Sequence, residues 1–251
     1  MSYRTNVAYL YDGSLDGFLC CVFDSFAKKI LPCDIISNSA NQLSLFPIKP
    51  IATDTGIAKR VYKGIVEKIS LGSMQLIENA FFSCLPQKEL VILDFIRQGL
   101  KIGPSFQFDL TNDTVSSLKK AETHLFREVM HYKGFIRFSV TDNVLISVIE
   151  PKNFILPYLA HHFSQRYSNF PFVIYDKTHG AMLIYKISEY FIVKVDNFTP
   201  PEADENELEY RKLWKNFYDS VAIEGRLNNK ARISLMSKRF WNNMPEVNGT
   251  I

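Results

Sequence analysis

The sequence predicts an α+β protein with a helical N-terminal half, a central antiparallel sheet of β-β-α-β-β-β order and a basic helical segment at the C-terminus. Three observations support this prediction. Apolar residues recur at helical spacing through much of the first half, the period changes to two after Gly134, and an acidic run at 202–209 precedes a stretch rich in cations. With 251 residues and 47% apolar content, the chain can bury a sizeable core.

We predict a single domain, 1–251, whose sub-region 1–113 is helical. Residues 7–11 form an apolar run typical of a strand, and the turn Asp12-Gly13-Ser14 precedes an amphipathic helix. The apolar positions of that helix are Phe18, Leu19, Val22, Phe23 and Phe26. Residues 43–48 are a candidate extended segment. Further helices are predicted at 55–69, 73–85 and 87–102, where Pro86 and Gly103-Pro104 mark boundaries.

Sub-region 114–200 is predicted to carry the sheet. A helix at 114–132 ends near Gly134, and the alternation that follows indicates strands. The predicted elements are strands at 135–140 and 144–149, a helix at 157–167, and strands at 172–175, 181–185 and 191–195. This succession gives the β-β-α-β-β-β order.

Sub-region 201–251 is predicted to be a basic helical tail. Between residues 210 and 241, eight Arg or Lys residues stand against two acids, although the whole chain has a net charge of only +3. Its apolar residues at helical spacing are Tyr210, Leu213, Trp214, Phe217 and Val221. Cations among aromatic rings suit a polyanion such as nucleic acid, whose phosphates and bases they contact, although a solvated basic face is the other interpretation.

The candidate nucleic-acid contacts come from this tail and from one strand. In the tail they are Arg226, Lys230, Lys238, Arg239 and Trp241. In Gly134-Phe135-Ile136-Arg137-Phe138, strand alternation places Phe135, Arg137 and Ser139 on one face, which resembles a base-stacking platform. The alternative is that this face is half covered and that Arg137 is ion-paired.

Three residues are weak catalytic candidates. Asp12 lies in a turn before a helix, where Ser14 either caps the helix or helps to hold an anion. His124, Glu128 and His131 share one side of a predicted helix, and this set suits either a metal or an ordinary polar flank. A pocket of Asp12, Glu128 and His131 is therefore the enzyme alternative.

The sequence predicts no metal site, no cofactor and no membrane partner. The four cysteines are an adjacent pair, Cys20 and Cys21, and two isolated residues, without a CxxC motif. No GxxxxGK[ST] or GxGxxG motif for a nucleotide is present. No apolar run approaches the ~18 residues of a membrane helix, and the first residues do not resemble a secretory signal, so we expect a cytoplasmic protein with reduced thiols.

Several motifs together resemble a bacterial family of uncharacterised DNA-metabolism proteins. They are Tyr11-Asp12-Gly13-Ser14 with Gly17-Phe18-Leu19, Glu128 with His131, Gly134-Phe135-Ile136-Arg137-Phe138, His162-Phe163 with Arg166, Arg226-Leu227-Asn228, and Met236-Ser237-Lys238-Arg239-Phe240-Trp241. The resemblance spans nearly the whole chain. In two places the chain departs from the family, with Phe240 in place of a Tyr and Phe172 in place of a Trp, so hydrogen-bonding roles there are not expected.

The resemblance implies a role in DNA repair or modification. Members of that family are encoded beside a radical S-adenosylmethionine (radical SAM) protein of DNA repair, and some are fused to a uracil-DNA glycosylase-like domain. Because the cysteines here lack the spacing of a radical SAM cluster, a separate partner is expected to supply such chemistry. The function expected is an accessory DNA-binding component. The alternatives are an enzyme acting on a nucleotide or base, and a scaffold that docks an acidic protein.

Overall fold

The computed structural model describes residues 5–38, 45–195, 197–223, 225 and 228–248. The chain divides into two compact units, Met1–Leu125 and Phe126–Ile251. The predicted α+β class and the helical character of the N-terminal part are confirmed. The grouping of all residues into one domain stays a prediction.

The first unit contains a small parallel sheet. Strand β1 (Ala8–Tyr11) lies between β2 (Asp34–Ser37) and β3 (Ile48–Pro50), and both neighbours run parallel to it. Helix α1 (Leu15–Ala27) connects β1 to β2. The sequence predicted β1 but not β2, because four residues near a proline carry too little periodicity to identify a strand. Part of the candidate segment 43–48 lies outside the described residues.

A 3-10 helix at Pro104–Phe108 was not predicted, whereas the other α-helices of the first unit agree with the prediction. They are α2 (Thr55–Lys68), α3 (Leu71–Phe81), α4 (Lys88–Ile102) and the first part of α5 (Asp113–Phe135). Side chains cap two of them, since Asp54 accepts from the amide of Ile57 and Ser70 accepts from the amide of Ser73. Their apolar faces form one core that includes Phe18, Phe95 and Phe106.

Helix α1 begins in a tightly packed turn. The hydroxyl of Ser14 accepts a hydrogen bond of 2.9 Å from the amide of Gly17, which confirms the N-cap interpretation. Ser14 in turn donates its amide and hydroxyl to Asp12 Oδ1 at 2.8 and 2.7 Å. A Cβ on Gly17 would lie 2.3 Å from that carboxylate oxygen and 2.8 Å from Thr53 Oγ1, so only glycine fits without displacing Asp12.

The second unit is built on a five-stranded sheet. Its strands are β4 (Ser139–Thr141), β5 (Val144–Ile149), β6 (Phe172–Asp176), β7 (Ala181–Lys186) and β8 (Glu189–Lys194), in the spatial order β4-β5-β6-β7-β8. Helix α6 (Leu156–Arg166) follows β5, which confirms the predicted β-β-α-β-β-β succession. The prediction that the sheet is antiparallel throughout is wrong, because the sheet is mixed. Strands β5 and β6 are parallel, since α6 carries the chain back between them, and the other described pairs are antiparallel.

Strand β4 begins later than predicted. Helix α5 continues through Gly134 to Phe135, and the amide of Ile136 still donates to the carbonyl of Tyr132 at 3.0 Å. Phe135 and Arg137 therefore precede the sheet, and the predicted strand start at 135 is wrong. The ring of Phe135 instead packs 5.3 Å from that of Phe240, a contact between distant positions that local periodicity does not reveal.

The predicted helical tail is confirmed. It comprises α7 (Glu205–Ser220), α8 (Asn229–Leu235), a 3-10 helix at Lys238–Asn243 and a short α9 (Pro245–Asn248). Asp204 caps the N-terminus of α7, and its carboxylate accepts from the amide of Glu207 at 2.7 Å. Across the part of the chain that the structure describes, no helix combines the length and the apolarity needed to cross a membrane.

The packing at Gly17 yields a stability prediction. Gly17→Ala should lower the free energy of unfolding by about 1–3 kcal/mol, because the new methyl group displaces Asp12 and breaks its bonds to Ser14. The measurement is denaturant unfolding followed by far-ultraviolet circular dichroism.

Gly64→Ala is the matched control for this substitution. Gly64 lies within α2 and a Cβ there would meet nothing within 4 Å, so this change should stabilise the helix by up to about 1 kcal/mol. A Gly17→Ala variant as stable as Gly64→Ala would contradict the packing described for α1.

Candidate functional site

A groove in the second unit combines guanidinium groups with aromatic rings. It has a volume of about 840 Å³ and lies between α7, the end of α6 and the segment that precedes β4. Its cations are Arg137, Arg166 and Arg211, and its rings are Phe138, Tyr167, Tyr210, Trp214 and Phe217. We call it the arginine–aromatic groove.

Helix α7 supplies the exposed apolar wall of this groove. Its apolar stripe was identified from sequence spacing, and the structure leaves it open to solvent. The exposed fractions are 68% for Tyr210, 56% for Leu213, 40% for Trp214 and 55% for Phe217. Trp214 and Phe217 lie one turn apart with ring centroids separated by 5.7 Å. Rings this accessible and this close offer flat faces on which a planar ligand can stack.

Two of the three groove arginines are held by carboxylates. Arg137 donates from Nε and Nη2 to Glu246 Oε1 at 3.0 and 2.6 Å, and its guanidinium lies 5.8 Å from the centroid of the Trp214 ring. Arg211 donates to Glu207 at 2.9 Å and to Ser139 Oγ at 2.8 Å. These bonds fix the two guanidinium planes but neutralise much of their charge.

Arg166 is the exposed cation of the groove. Its guanidinium lies 5.8 Å from the Tyr167 ring, and no carboxylate of the described residues forms an ion pair with it. Its charge acts on His162, one turn earlier on α6. Burial, together with the positive charges of Lys133 and Arg166, lowers the pKa of His162 below its usual range. Lys133 and Arg166 both bring positive charge close to His162, which favours an anion there.

A smaller cavity of about 290 Å³ adjoins the groove, and we call it the inner pocket. The two share part of their lining, including Arg137, Phe138, Glu207 and Arg211. The polar residues of the inner pocket are Arg137, Ser139, Thr141, Glu207, Arg211 and Asn243. The remaining lining residues are apolar: Phe138, Ile146, Val148, Pro200, Pro201, Ala203 and Pro245. The lining of the inner pocket therefore combines hydrogen-bond donors and acceptors with apolar side chains.

Glu128 on α5 is a buried carboxylate with a full set of hydrogen-bond donors. It accepts from the amides of Lys152 and Asn153 at 3.0 and 2.8 Å, from the side-chain amide of Asn153, and from Arg239 Nη1 at 2.6 Å. Burial alone raises the pKa of this carboxyl, but these hydrogen bonds and the charge of Arg239 outweigh burial and lower the pKa below its usual range. Glu128 is thus ionised and engaged, which suits a structural role better than that of a free catalytic base.

We call the C-terminal residues 238–247 the clasp. Among the described residues, three contacts hold the clasp against the rest of the second unit, and the pair of Glu128 and Arg239 is the first of them. The second contact is Phe240, which is buried with its ring 5.0 Å from Tyr132 and 5.3 Å from Phe135. The third is the ion pair of Glu246 with Arg137. Because Asn243 and Pro245 of the clasp line the inner pocket, these contacts also shape the site.

The nucleic-acid contacts predicted from the sequence do not form one site among the described residues of the second unit. Of those it describes, Arg137 alone lines the groove. Arg239 is engaged with Glu128, and Trp241 donates its indole N–H to the carbonyl of Met236 at 3.0 Å. Lys230 and Lys238 are exposed, and no described carboxylate pairs with either. The predicted contact Arg226 lies outside the described residues.

The enzyme candidates are each engaged in contacts within their own unit. Asp12 belongs to the first unit, where its carboxylate holds Ser14. His131 belongs to the second unit, and its ring stacks 5.7 Å from Phe135 and meets Phe240 edge-on at 5.5 Å. Among the residues that the structure describes, no three His, Cys, Asp or Glu side chains are grouped as metal ligands, and this includes His124, Glu128 and His131.

A pair formed by a buried acid, Asp176, and an exposed imidazole, His179, was not identified from the sequence. Asp176, at the end of β6, accepts from His179 Nδ1 at 2.7 Å and from the amides of Thr178 and His179 at 3.0 and 3.1 Å. Burial raises the pKa of Asp176 above its usual range, although its hydrogen bonds oppose this. These bonds close the turn between β6 and β7, which accounts for the pair structurally.

The groove residues that sequence reasoning missed had a visible signal. Arg211 was only one of the eight cations counted between residues 210 and 241, and Trp214 was assigned to the apolar stripe of α7, but an apolar stripe normally indicates a buried face. Arg166 was noted only as part of a motif. An uncovered aromatic stripe within a cation-rich segment was the combination that could have identified this site.

Comparison with known proteins gives a family but no activity. The model of the family described as "DUF4130: Domain of unknown function" matches residues 86–246, more than half of the chain. No curated protein matches the sequence. The matched span includes every residue that lines the groove and the inner pocket.

The buried carboxylate yields a prediction about stability and pH. Glu128→Gln should lower the free energy of unfolding by about 2–4 kcal/mol at neutral pH, because Arg239 loses its charged partner. The pKa of Glu128 is lower in the folded chain than in the unfolded one, so its ionised form stabilises the fold above about pH 4.3. This contribution disappears as the pH falls through the folded-state pKa, and the difference between variant and wild type should shrink.

Denaturant unfolding followed by tryptophan fluorescence measures this effect, since Trp214 and Trp241 both lie in the second unit. Glu150→Gln is the control, because Glu150 forms an exposed pair with Lys177 in the same unit and its loss should change stability by less than about 0.5 kcal/mol. A difference between Glu128→Gln and wild type that is constant from neutral to acidic pH would rule out the ionised pair.

Proposed function

The chain belongs to the DUF4130 family, whose function is unknown, and we propose that it is an accessory component of DNA metabolism that binds single-stranded nucleic acid in the arginine–aromatic groove. The observation that carries this proposal is the solvent-exposed aromatic stripe of α7 facing a groove with three arginines. Neither feature alone points to nucleic acid, because apolar stripes also bind proteins and cations also bind other anions. Together they suit an unpaired strand, because such a strand exposes bases that stack on rings and phosphates that attract cations.

The rings account for the preference for unpaired bases. Trp214, Phe217 and Tyr210 are at least 40% exposed and project from consecutive turns of one helix. Base–aromatic stacking contributes roughly 1–3 kcal/mol per base and is open to any base. A duplex keeps its bases stacked on one another, so it offers these rings no free face. We therefore expect a single strand to bind more tightly than a duplex.

The arginines account for the backbone contacts. Arg166 is exposed and forms no ion pair with a described carboxylate, and Lys133 is a second cation close to His162. A phosphate there would be attracted without displacing any described carboxylate. Arg137 and Arg211 are held by Glu246 and Glu207, so they suit hydrogen bonding to a ligand better than charge neutralisation.

The pathway is proposed from the resemblance to DNA-metabolism proteins. In this proposal the chain acts in the cytoplasm, binds DNA of a repair or modification pathway, and works with a separate radical SAM protein. The chemistry then belongs to that partner, and the groove presents the strand. The engaged state of Glu128 is consistent with a non-catalytic role, and it weighs against the enzyme alternative.

A scaffold function is the second candidate, because β8 is an exposed apolar edge strand. All six of its residues are exposed, including Tyr190, Phe191, Ile192 and Val193, and β8 pairs only with β7 among the described strands. Such an edge can accept a strand from a partner protein. Co-purification before and after nuclease treatment separates the two functions: a complex bridged by nucleic acid is lost after the treatment, whereas a protein–protein complex survives it.

The groove yields a prediction with two distinct signatures. Trp214→Ala should weaken binding of a labelled oligothymidylate of about 20 nucleotides by ~1–3 kcal/mol and leave its salt dependence unchanged, because stacking releases no counterions. Arg166→Gln should weaken binding and also reduce the slope of log K against log salt by about 0.7, the value for one phosphate contact with a single strand. Fluorescence anisotropy between about 50 and 200 mM salt measures both quantities.

Two substitutions outside the groove serve as matched controls. Tyr190→Ala removes an exposed ring from β8, and Lys177→Gln removes an exposed cation that pairs with Glu150. Neither should change affinity by more than about twofold at moderate salt. If the controls weaken binding as much as Trp214→Ala and Arg166→Gln do, or if a duplex binds as tightly as a single strand, the proposed site is wrong.

A further inference from the structure

The inner pocket is a separate compartment next to the arginine–aromatic groove. Its volume of about 290 Å³ is close to the lower limit of the ~300–1,000 Å³ typical of small-molecule sites, so it suits one ring-sized group and not an extended ligand. It shares Arg137, Phe138 and Glu207 with the groove, so a group that leaves a strand in the groove can reach it without crossing the protein interior.

The chemistry of its lining selects among possible occupants. Glu207 is a carboxylate that is only 8% exposed, so a phosphate in the pocket would face a buried negative charge at close range. A neutral planar group meets no such repulsion. Pro200, Pro201 and apolar residues of β5 provide walls for its faces. Two guanidinium groups, an amide and two hydroxyls provide both donors and acceptors for its edge.

The hydrogen bonds of Glu207 leave capacity for a ligand. Its Oε1 accepts from Arg211 Nε at 2.9 Å, and its Oε2 accepts from the amide of Val140 at 3.2 Å. A carboxylate has about four acceptor positions, so each oxygen can accept one more donor. Exocyclic amines of bases are donors of this kind, and a carboxylate is the usual partner of the cytosine amine. Thymine has no such amine.

We infer that the inner pocket receives a single unstacked nucleobase, with preference for a base that carries an exocyclic amine. Glu207 accepts from that amine, Arg137, Arg211 and Asn243 hydrogen-bond the rest of the base edge, and the prolines cover its face. The inference rests on the proposed function, because a strand in the groove is what brings the base to the pocket. It adds recognition of base identity to a surface that otherwise binds any sequence.

Calorimetric titration of the full chain with free nucleotides tests this inference. Deoxycytidine 5′-monophosphate should bind, and both thymidine 5′-monophosphate and deoxyribose 5-phosphate should bind at least about tenfold more weakly. Ala203→Trp places a large ring in the pocket but not in the groove, because Ala203 lines only the former. It should abolish nucleotide binding and keep affinity for the oligothymidylate within about threefold. Thr141→Phe, from the other wall, is the second variant if Ala203→Trp fails to fold.

The outcomes separate this inference from the proposed function. If deoxyribose 5-phosphate binds as well as the nucleotide, or if a folded Ala203→Trp or Thr141→Phe variant binds the nucleotide like the wild type, the base pocket is wrong. If the wild type binds the oligothymidylate but none of the free nucleotides, the base pocket is wrong while the groove stands. In the third outcome, the wild type binds deoxycytidine 5′-monophosphate, Ala203→Trp abolishes this binding, and the wild type does not bind the oligothymidylate. The base pocket then stands, and the proposed strand-binding function is wrong.

Discussion

The buried carboxylate of Glu128 is the constraint on which the second unit depends. It gathers two backbone amides, an Asn side chain and the guanidinium of Arg239 around one point on α5. Burying a charge is costly unless the charge is paired and hydrogen-bonded. The loop after β5 and the clasp must therefore lie where they can supply these partners to Glu128. The ring of Phe240, beside Arg239 in sequence, then enters the aromatic cluster of α5. Burial and ion pairing thus act at the same place.

The clasp relates this constraint to the candidate site. Arg239 and Phe240 fix its first turn, and Glu246 fixes its end by binding Arg137. Asn243 and Pro245 lie between these contacts and line the inner pocket, while Arg137 lines both cavities. Arg239 of the clasp therefore acts within the protein, whereas Lys238 is exposed. The cations that line the groove come from elsewhere in the sequence: Arg137 precedes β4, Arg166 ends α6 and Arg211 lies on α7.

Local sequence signals were sufficient for most elements and insufficient for their ends and partners. The helices of the first unit and the strand–helix succession of the second follow from periodicity, because each buries one face. The start of β4 was misjudged because α5 is extended by packing of Phe135 on Phe240, a residue more than a hundred positions later. The parallel pairing of β5 with β6 and the strand β2 also depend on neighbours that are remote in the chain. For the site, Arg137 was identified, whereas Arg166, Arg211 and Trp214 were not assigned to it.

The sequence by itself determined the α+β class, the order of the elements and the concentration of cations and rings near the C-terminus. These depend on residue type and on spacing along the chain, which are local properties. Tertiary structure decided which charges are neutralised and which apolar stripe stays open. Arg239 meets a carboxylate 111 residues away, whereas the stripe of α7 remains exposed beside Arg166. Whether a charge is paired or a ring is covered depends on distances through space, and spacing along the chain does not specify these.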